Sequence, residues 1–188
     1  MNLRVASMAA LLLAAPLALS ADTGWVTFAP DNAGFSAKFP VTPEPQVTRQ
    51  KDVDTTVWLA KSADGNFMVL MSTTDYWQHV DAEEEMRLDQ ENFLKAVGGA
   101  ADSSHPDPFP GPKGRKKPLP SILFDFHIGD QWTGRSRVIV DGDTAFQSAV
   151  LWKKGYDGGS AVLEAFEASF KLVPRKRPAA QAPLDNPQ

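Results

Sequence analysis

The 188-residue chain contains no cysteine. That absence excludes disulfide bridges, thiol nucleophiles and every metal site built on thiolate ligands. Histidine is nearly as scarce: His79, His105 and His127 are the only three. No two are spaced i, i+4 and none sits in a metal-binding pattern, so no metal is expected. A phosphate-cradling glycine loop and a dinucleotide fingerprint are both missing. Ser36, in G-F-S-A-K, lacks the second glycine of a nucleophile elbow. The expectation is therefore a protein without catalytic residues and without a cofactor, that is, not an enzyme.

What is present begins with an address. The opening MNLRVASMAALLLAAPLALSA has a short positive region at Arg4, an apolar stretch from Val5 to Leu19, and small residues before Asp22. Those are the three parts of a secretory signal. The stretch is shorter than the roughly 20 apolar residues that span a bilayer, and no cysteine follows it for lipid attachment. Residues 1–21 are expected to be a signal peptide, and the protein periplasmic or secreted, with no stable membrane anchor after cleavage. Cleavage would remove Arg4 and no acid, taking the net charge one unit beyond the −4 of the whole chain. Residues 22–188 suit one domain with a real core, in the size range where about 70% of the unfolded surface is buried.

Along that body, WVTF (25–28) and FSAKF (35–39) alternate apolar and polar side chains, the period of a half-buried strand. PDNAG between them is turn chemistry. Pro40, Pro43 and Pro45 are then expected to forbid regular pairing. TTVWLAKS (55–62) and FMVLMSTT (67–74) flank the turn ADGN and predict a second hairpin. FMVLM has no polar face, which predicts a strand covered on both sides. A helix is predicted over 81–97, with Asp81 as cap and Gly98 as left-handed stop. Its apolar stripe is Met86, Phe93, Leu94 and Val97. Asp89 and Glu91 fall on the wet face, and Glu83, Glu84 and Glu85 read as a solvated helix start. Residues 98–120 read as one long loop. SILFDFHI (121–128), TGRSRVIV (133–140) and TAFQSAVLW (144–152) read as a three-strand meander. SAVLEAFEASF (160–170) reads as a second helix, with Ser160 its cap and Val162, Leu163, Phe166 and Phe170 inward.

These elements predict an α+β domain over 22–173: two hairpins and a meander in a single antiparallel sheet of six to seven strands, flanked by two helices. The tail from 174 to 188, PRKRPAAQAPLDNPQ, has too little apolar surface to fold and is expected to be disordered.

Several patterns carry a resemblance. They are W-x-x-F-x-P-x-x-x-x-F-x-x-x-F-P at Trp25 to Pro40, the charged helix at 81–97, and a G-x-x-G-R loop at Gly111 to Arg115. R-x-R-V-x-V-D-G at Arg135 to Gly142 precedes Phe146, and A-S-F-K-L closes at Leu172. Together they resemble the PsbP-like superfamily, whose fold is shared with Mog-type Ran-binding proteins. The resemblance implies an α/β/α sandwich. It also implies a non-enzymatic, exported accessory or adaptor role. Phe146 stands where the family pattern leads one to expect tyrosine, which removes a hydroxyl.

Two constellations qualify as sites. The stretch PFPGPKGRKKPLP (108–120) gathers Lys113, Arg115, Lys116 and Lys117 in an otherwise acidic chain. Its plainer account is an extended, soluble connection. Its functional account is a patch that docks an acidic protein or an anionic envelope component. Nucleic acid is not expected, because the loop lacks interleaved aromatics for stacking bases. Arg175, Lys176 and Arg177 could add to the patch, but a solvated tail is the plainer account. The second constellation lies in the meander. If Ile128 faces Gly134, then Asp125 opposes Arg137 and His127 opposes Arg135. That forms either cross-strand ion pairs or a small polar ligand patch.

Two functions follow as expectations. One is an exported binding module for a protein or envelope component. The other is a periplasmic small-ligand carrier with a pocket between sheet and helix.

Overall fold

The computed structural model describes residues 24–50 and 52–175. The expected signal peptide and residues 176–188 of the expected tail lie outside the described residues.

The short strands β1 (Val26–Phe28) and β2 (Phe35–Phe39) form the first hairpin, with Val26 opposite Phe39. Gly34 and Asn32 take left-handed conformations in its turn. This hairpin does not join the main sheet. With β10 (Lys171–Leu172) on its other edge, it makes a separate three-stranded sheet in the order β1-β2-β10. The expected single sheet is thus two sheets, because Phe35 and Phe39 pack onto the face of the large sheet instead of extending its edge.

The large sheet has seven antiparallel strands in the order β3-β4-β5-β9-β8-β7-β6. Strands β4 (Val53–Lys61) and β5 (Phe67–Tyr76) are the second predicted hairpin. Its turn is knotted by Asp64, which accepts from the Ser62 hydroxyl at 2.6 Å and the Asn66 backbone N–H at 3.0 Å. The Ser62 bond is the main reason the Asp64 carboxyl titrates below its ordinary range. The apolar run in β5 is covered on both faces as predicted: Val69 and Met71 on one, Leu70 on the other.

Helix α1 (Ala82–Val97) then carries the chain across to the far edge of the sheet. Asp81 accepts from the Glu84 N–H at 2.9 Å, and Gly98 closes the last turn at φ 66°. Met86 and Phe93 are buried against β7 and β8. Strand β6 (Ala100–Pro106) forms that far edge, and β7 (Ser121–Ile128), β8 (Trp132–Asp141) and β9 (Thr144–Lys153) return beside β5. Helix α2 (Gly159–Ser169) covers the opposite face, together with the small sheet. Val162, Phe166 and Phe170 are buried there.

Four local expectations are corrected. Residues 44–50 form strand β3 despite Pro45, which sits opposite Trp58. Only one side of an edge strand needs ladder bonds, so a proline is tolerated there. Residues 98–120 are not all loop, since β6 pairs with β7 across a bulge between Ala101 and Ser103. All seven β6 side chains are exposed, which explains why no apolar pattern announced it. Helix α2 is capped by Gly158 without a side-chain bond, and Ser160 lies inside the helix and exposed. Glu85 is not solvated: it is buried, and its carboxylate accepts a hydrogen bond from the Tyr76 hydroxyl.

Candidate functional site

The basic loop is a hairpin-like excursion between β6 and β7. Its base is closed by paired backbone bonds: Phe109 N–H to Leu119 O at 3.0 Å and Leu119 N–H to Phe109 O at 2.8 Å. Leu119 is buried, so the base is anchored in the core while the tip stands in solvent. The four cations do not behave alike. Arg115 pairs with Asp141 at the end of β8 and braces the tip onto the sheet. Lys113, Lys116 and Lys117 are exposed and make no ion pair or side-chain hydrogen bond among the described residues.

Arg175 does not join that patch. It is nearly buried, pairs with Asp75, donates to Thr144 Oγ1 at 2.9 Å and lies over the Phe146 ring at 5.7 Å. The phenylalanine found in place of tyrosine is therefore a platform for this guanidinium.

The polar constellation of the meander is assembled with different partners. Ile128 pairs with Trp132, not Gly134, which moves the register by two residues. Faces are preserved by an even shift, so Phe124, Phe126, Val138 and Val140 all point toward α1 as expected. On the other face Asp125 now opposes Arg135, with Arg135 Nε 2.7 Å from Asp125 Oδ1. That hydrogen bond holds the Asp125 carboxyl below the usual carboxylate range and raises Arg135 in turn. Ser103 Oγ on β6 adds a second donor to Asp125 at 2.9 Å. Arg137 reaches the loop instead, binding the Asp107 carboxylate at 2.5 Å and the Asp107 carbonyl at 2.9 Å. His127 takes Asp102, at the β6 bulge, at 2.6 Å. Sequence reasoning had no access to Asp102, Ser103 and Asp107 as partners because it contained no β6.

Beside these arginines a cleft of about 150 Å³ opens between α2 and the β7–β9 part of the sheet. Arg135 and Arg137 line it together with Phe109, Phe166, Phe170 and Glu167. Among the described residues no group of three His, Asp or Glu side chains is gathered as a cation site. No described helix is long and apolar enough to cross a membrane.

No family model and no curated protein matches the chain. Among solved structures it is similar to the solution structure of cyanobacterial PsbP (CyanoP) from Synechocystis sp. PCC 6803. The two share 8% sequence identity and a TM-score of 0.52, over 85% of this chain and 98% of that one. The fold is PsbP-like. A crystal structure from Bacteroides thetaiotaomicron is also similar, at 15% identity and a TM-score of 0.38 over 81% of this chain and 50% of that one. Within the PsbP-like frame, the two features described above occupy different places. The lysine tip projects beyond β6 and β7, and the cleft lies under α2.

Proposed function

We propose that this protein is an exported, non-enzymatic accessory or adaptor module that captures an acidic protein or an anionic envelope component through the lysine tip at 113–117. The observation that carries this is the division of labour in the loop. Arg115 is engaged on Asp141, and the base is pinned by Phe109 and Leu119, while Lys113, Lys116 and Lys117 stay unpaired in solvent. Burying the base and bracing the tip reduces the entropy lost when the loop meets a partner. The charges on the tip act over about 8–10 Å at physiological salt.

The test replaces Lys113, Lys116 and Lys117 by serine and retains Arg115. Crosslinked capture from periplasmic extract should fall for the variant, and parent capture should weaken as salt rises. Equal capture by both proteins, or capture indifferent to salt, would remove the idea.

The second expectation, a small-ligand carrier, has one observation in its favour, the cleft under α2. Pockets that enclose drug-sized ligands start near 300 Å³. At about 150 Å³ this one limits the ligand to something much smaller.

A further inference from the structure

The cleft is built in two cross-strand rows. Leu123, Arg137 and Ser148 lie opposite one another across β7, β8 and β9, and Asp125, Arg135 and Val150 form the adjacent row. Leu163, Phe166, Glu167 and Phe170 of α2 roof it, and Phe109 at the loop base closes one end. The floor is thus polar along the arginines, while the roof is mainly apolar and aromatic.

The arginines are oriented but not saturated. A guanidinium has five N–H donors in a fixed fork. Arg135 uses Nε on Asp125 at 2.7 Å and reaches Asp125 Oδ2 through Nη2 at 3.4 Å. Its Nη1 stands 3.9 Å from Glu167, beyond hydrogen-bond length. Arg137 spends Nη1 on the Asp107 carbonyl and on Ser121 Oγ at 3.2 Å, and Nη2 on the Asp107 carboxylate. Its Nε makes no hydrogen bond among the described residues. The Ser148 hydroxyl also makes no hydrogen bond among the described residues, in a buried residue that lines the cleft beside Arg137. Asp107 and Asp125 hold the guanidiniums from outside the lining, which itself carries two cations and the single carboxylate of Glu167.

Charge and size together define a ligand. Two guanidiniums with donors to spare, partly shielded from water, favour an oxyanion and bind carboxylates in planar fashion. A cavity of about 150 Å³ lined by Leu and Phe is the size that accepts one benzene ring. We propose that the cleft binds a small monocarboxylate whose apolar body is about the size of one ring. The carboxylate meets Arg135, Arg137 and Ser148, and the ring lies beneath Leu163, Phe166 and Phe170. This site is independent of the lysine tip, so either proposal can fail alone.

Benzoate is the probe, with benzamide as its neutral isostere, and binding is followed by NMR titration of the purified protein. Benzoate should saturate with a Kd of about 1 mM or tighter and shift resonances of Arg137, Ser148 and α2. Benzamide should bind at least tenfold more weakly. Leu163→Trp fills the cleft without touching a charge and should weaken benzoate at least tenfold. The serine variant of Lys113, Lys116 and Lys117 should bind benzoate like the parent. Any of four results overturns the proposal: no saturable shift below about 20 mM, equal affinity for benzamide, unchanged affinity in Leu163→Trp, or loss of benzoate in the lysine variant.

Discussion

The Arg175 guanidinium lies against the Asp75 carboxylate, joining the end of the described chain to β5 across 100 positions. Asp75 also accepts from Thr144 Oγ1 at 2.9 Å, and Val173 N–H donates to Gly34 O at 2.9 Å. The segment after β10 therefore ties the β1–β2 turn to the β5–β9 end of the large sheet. Removing one member of a buried pair leaves an uncompensated charge, at a cost of about 3–5 kcal/mol. Arg175→Met should lower stability by about 3 kcal/mol in urea denaturation. Asp75→Asn combined with Arg175→Met should recover at least half of that, because no charge is then stranded. A single variant as stable as the parent would show that this tie carries nothing.

Asp89 sets an unusual pH dependence. It follows Glu85 by one helical turn, and burial, helped by the Glu85 charge, pushes its carboxyl up to about 8. Asp89 is half-buried, so the wet face predicted for it holds only in part. A folded pKa above the unfolded value means the folded state holds the proton more tightly. Its stabilising contribution is fully present below about pH 4 and is lost as pH rises through about 8. Between pH 5 and 8 the parent should lose on the order of 4 kcal/mol on this account. Asp89→Asn should be flatter over that window and more stable at pH 8. Parallel stability–pH curves for the two proteins would refute the assignment.

Which parts of this architecture were legible follows from what burial writes into a sequence. In the meander, both helices and the two hairpins, apolar side chains recur at the strand or helix period, or run unbroken where both faces are covered as in β5, and that pattern identifies them. Strand β6, AADSSHP, buries no side chain and so leaves no period to read. Strand β3 was hidden by Pro45, whose meaning depends on lying at an edge. The β7–β8 register shows the limit most clearly. Alternation determines which face a residue occupies but is blind to a slip of two. That choice lies with the turn, where Gly129 at φ 52° allows Ile128 to pair directly with Trp132. Hence Asp125 and Arg135 were placed on the right face with the wrong partners. Arg175 was unreadable for a different reason: its partner is remote in sequence and its neighbours are prolines and charges.

The Asp125–Arg135 pair makes a separate prediction about titration. Because the Arg135 hydrogen bond is the main cause of the lowered Asp125 pKa, Arg135→Gln should move that pKa up toward the ordinary carboxylate value. Carboxyl carbon shifts followed by NMR across pH 2 to 6 would measure it. Both side chains are a third or more exposed, so little change in stability is expected. The parent pair stabilises above the unfolded carboxylate pKa and loses that contribution as pH falls through the depressed folded value. An unmoved Asp125 titration in the variant would assign the shift to Ser103 instead.

Gly134 in β8 tests how tightly the sheet and α1 are packed around the meander. It lies opposite Phe126 and Leu151, two fully buried residues of the core beneath α1. A methyl group at this position would stand 2.5 Å from the Val150 carbonyl oxygen, 3.0 Å from Phe126 Cζ and 3.2 Å from Leu151 Cα. Two of those three atoms are backbone of the central strand β9, which cannot rotate away as a side chain can. Relief requires β8 and β9 to separate or Phe126 to leave its place against Phe93, whose ring centre is 5.1 Å away. Overpacking of this kind costs about 1–3 kcal/mol. Gly134→Ala should therefore destabilise the fold by about 2 kcal/mol in denaturant melts. Gly142→Ala is strained for another reason, its left-handed φ of 63°, but meets no atom within 4 Å. It should cost less, about 1 kcal/mol. A larger loss at Gly142 than at Gly134 would mean that backbone handedness, not close approach of β9, is the tighter constraint on the meander.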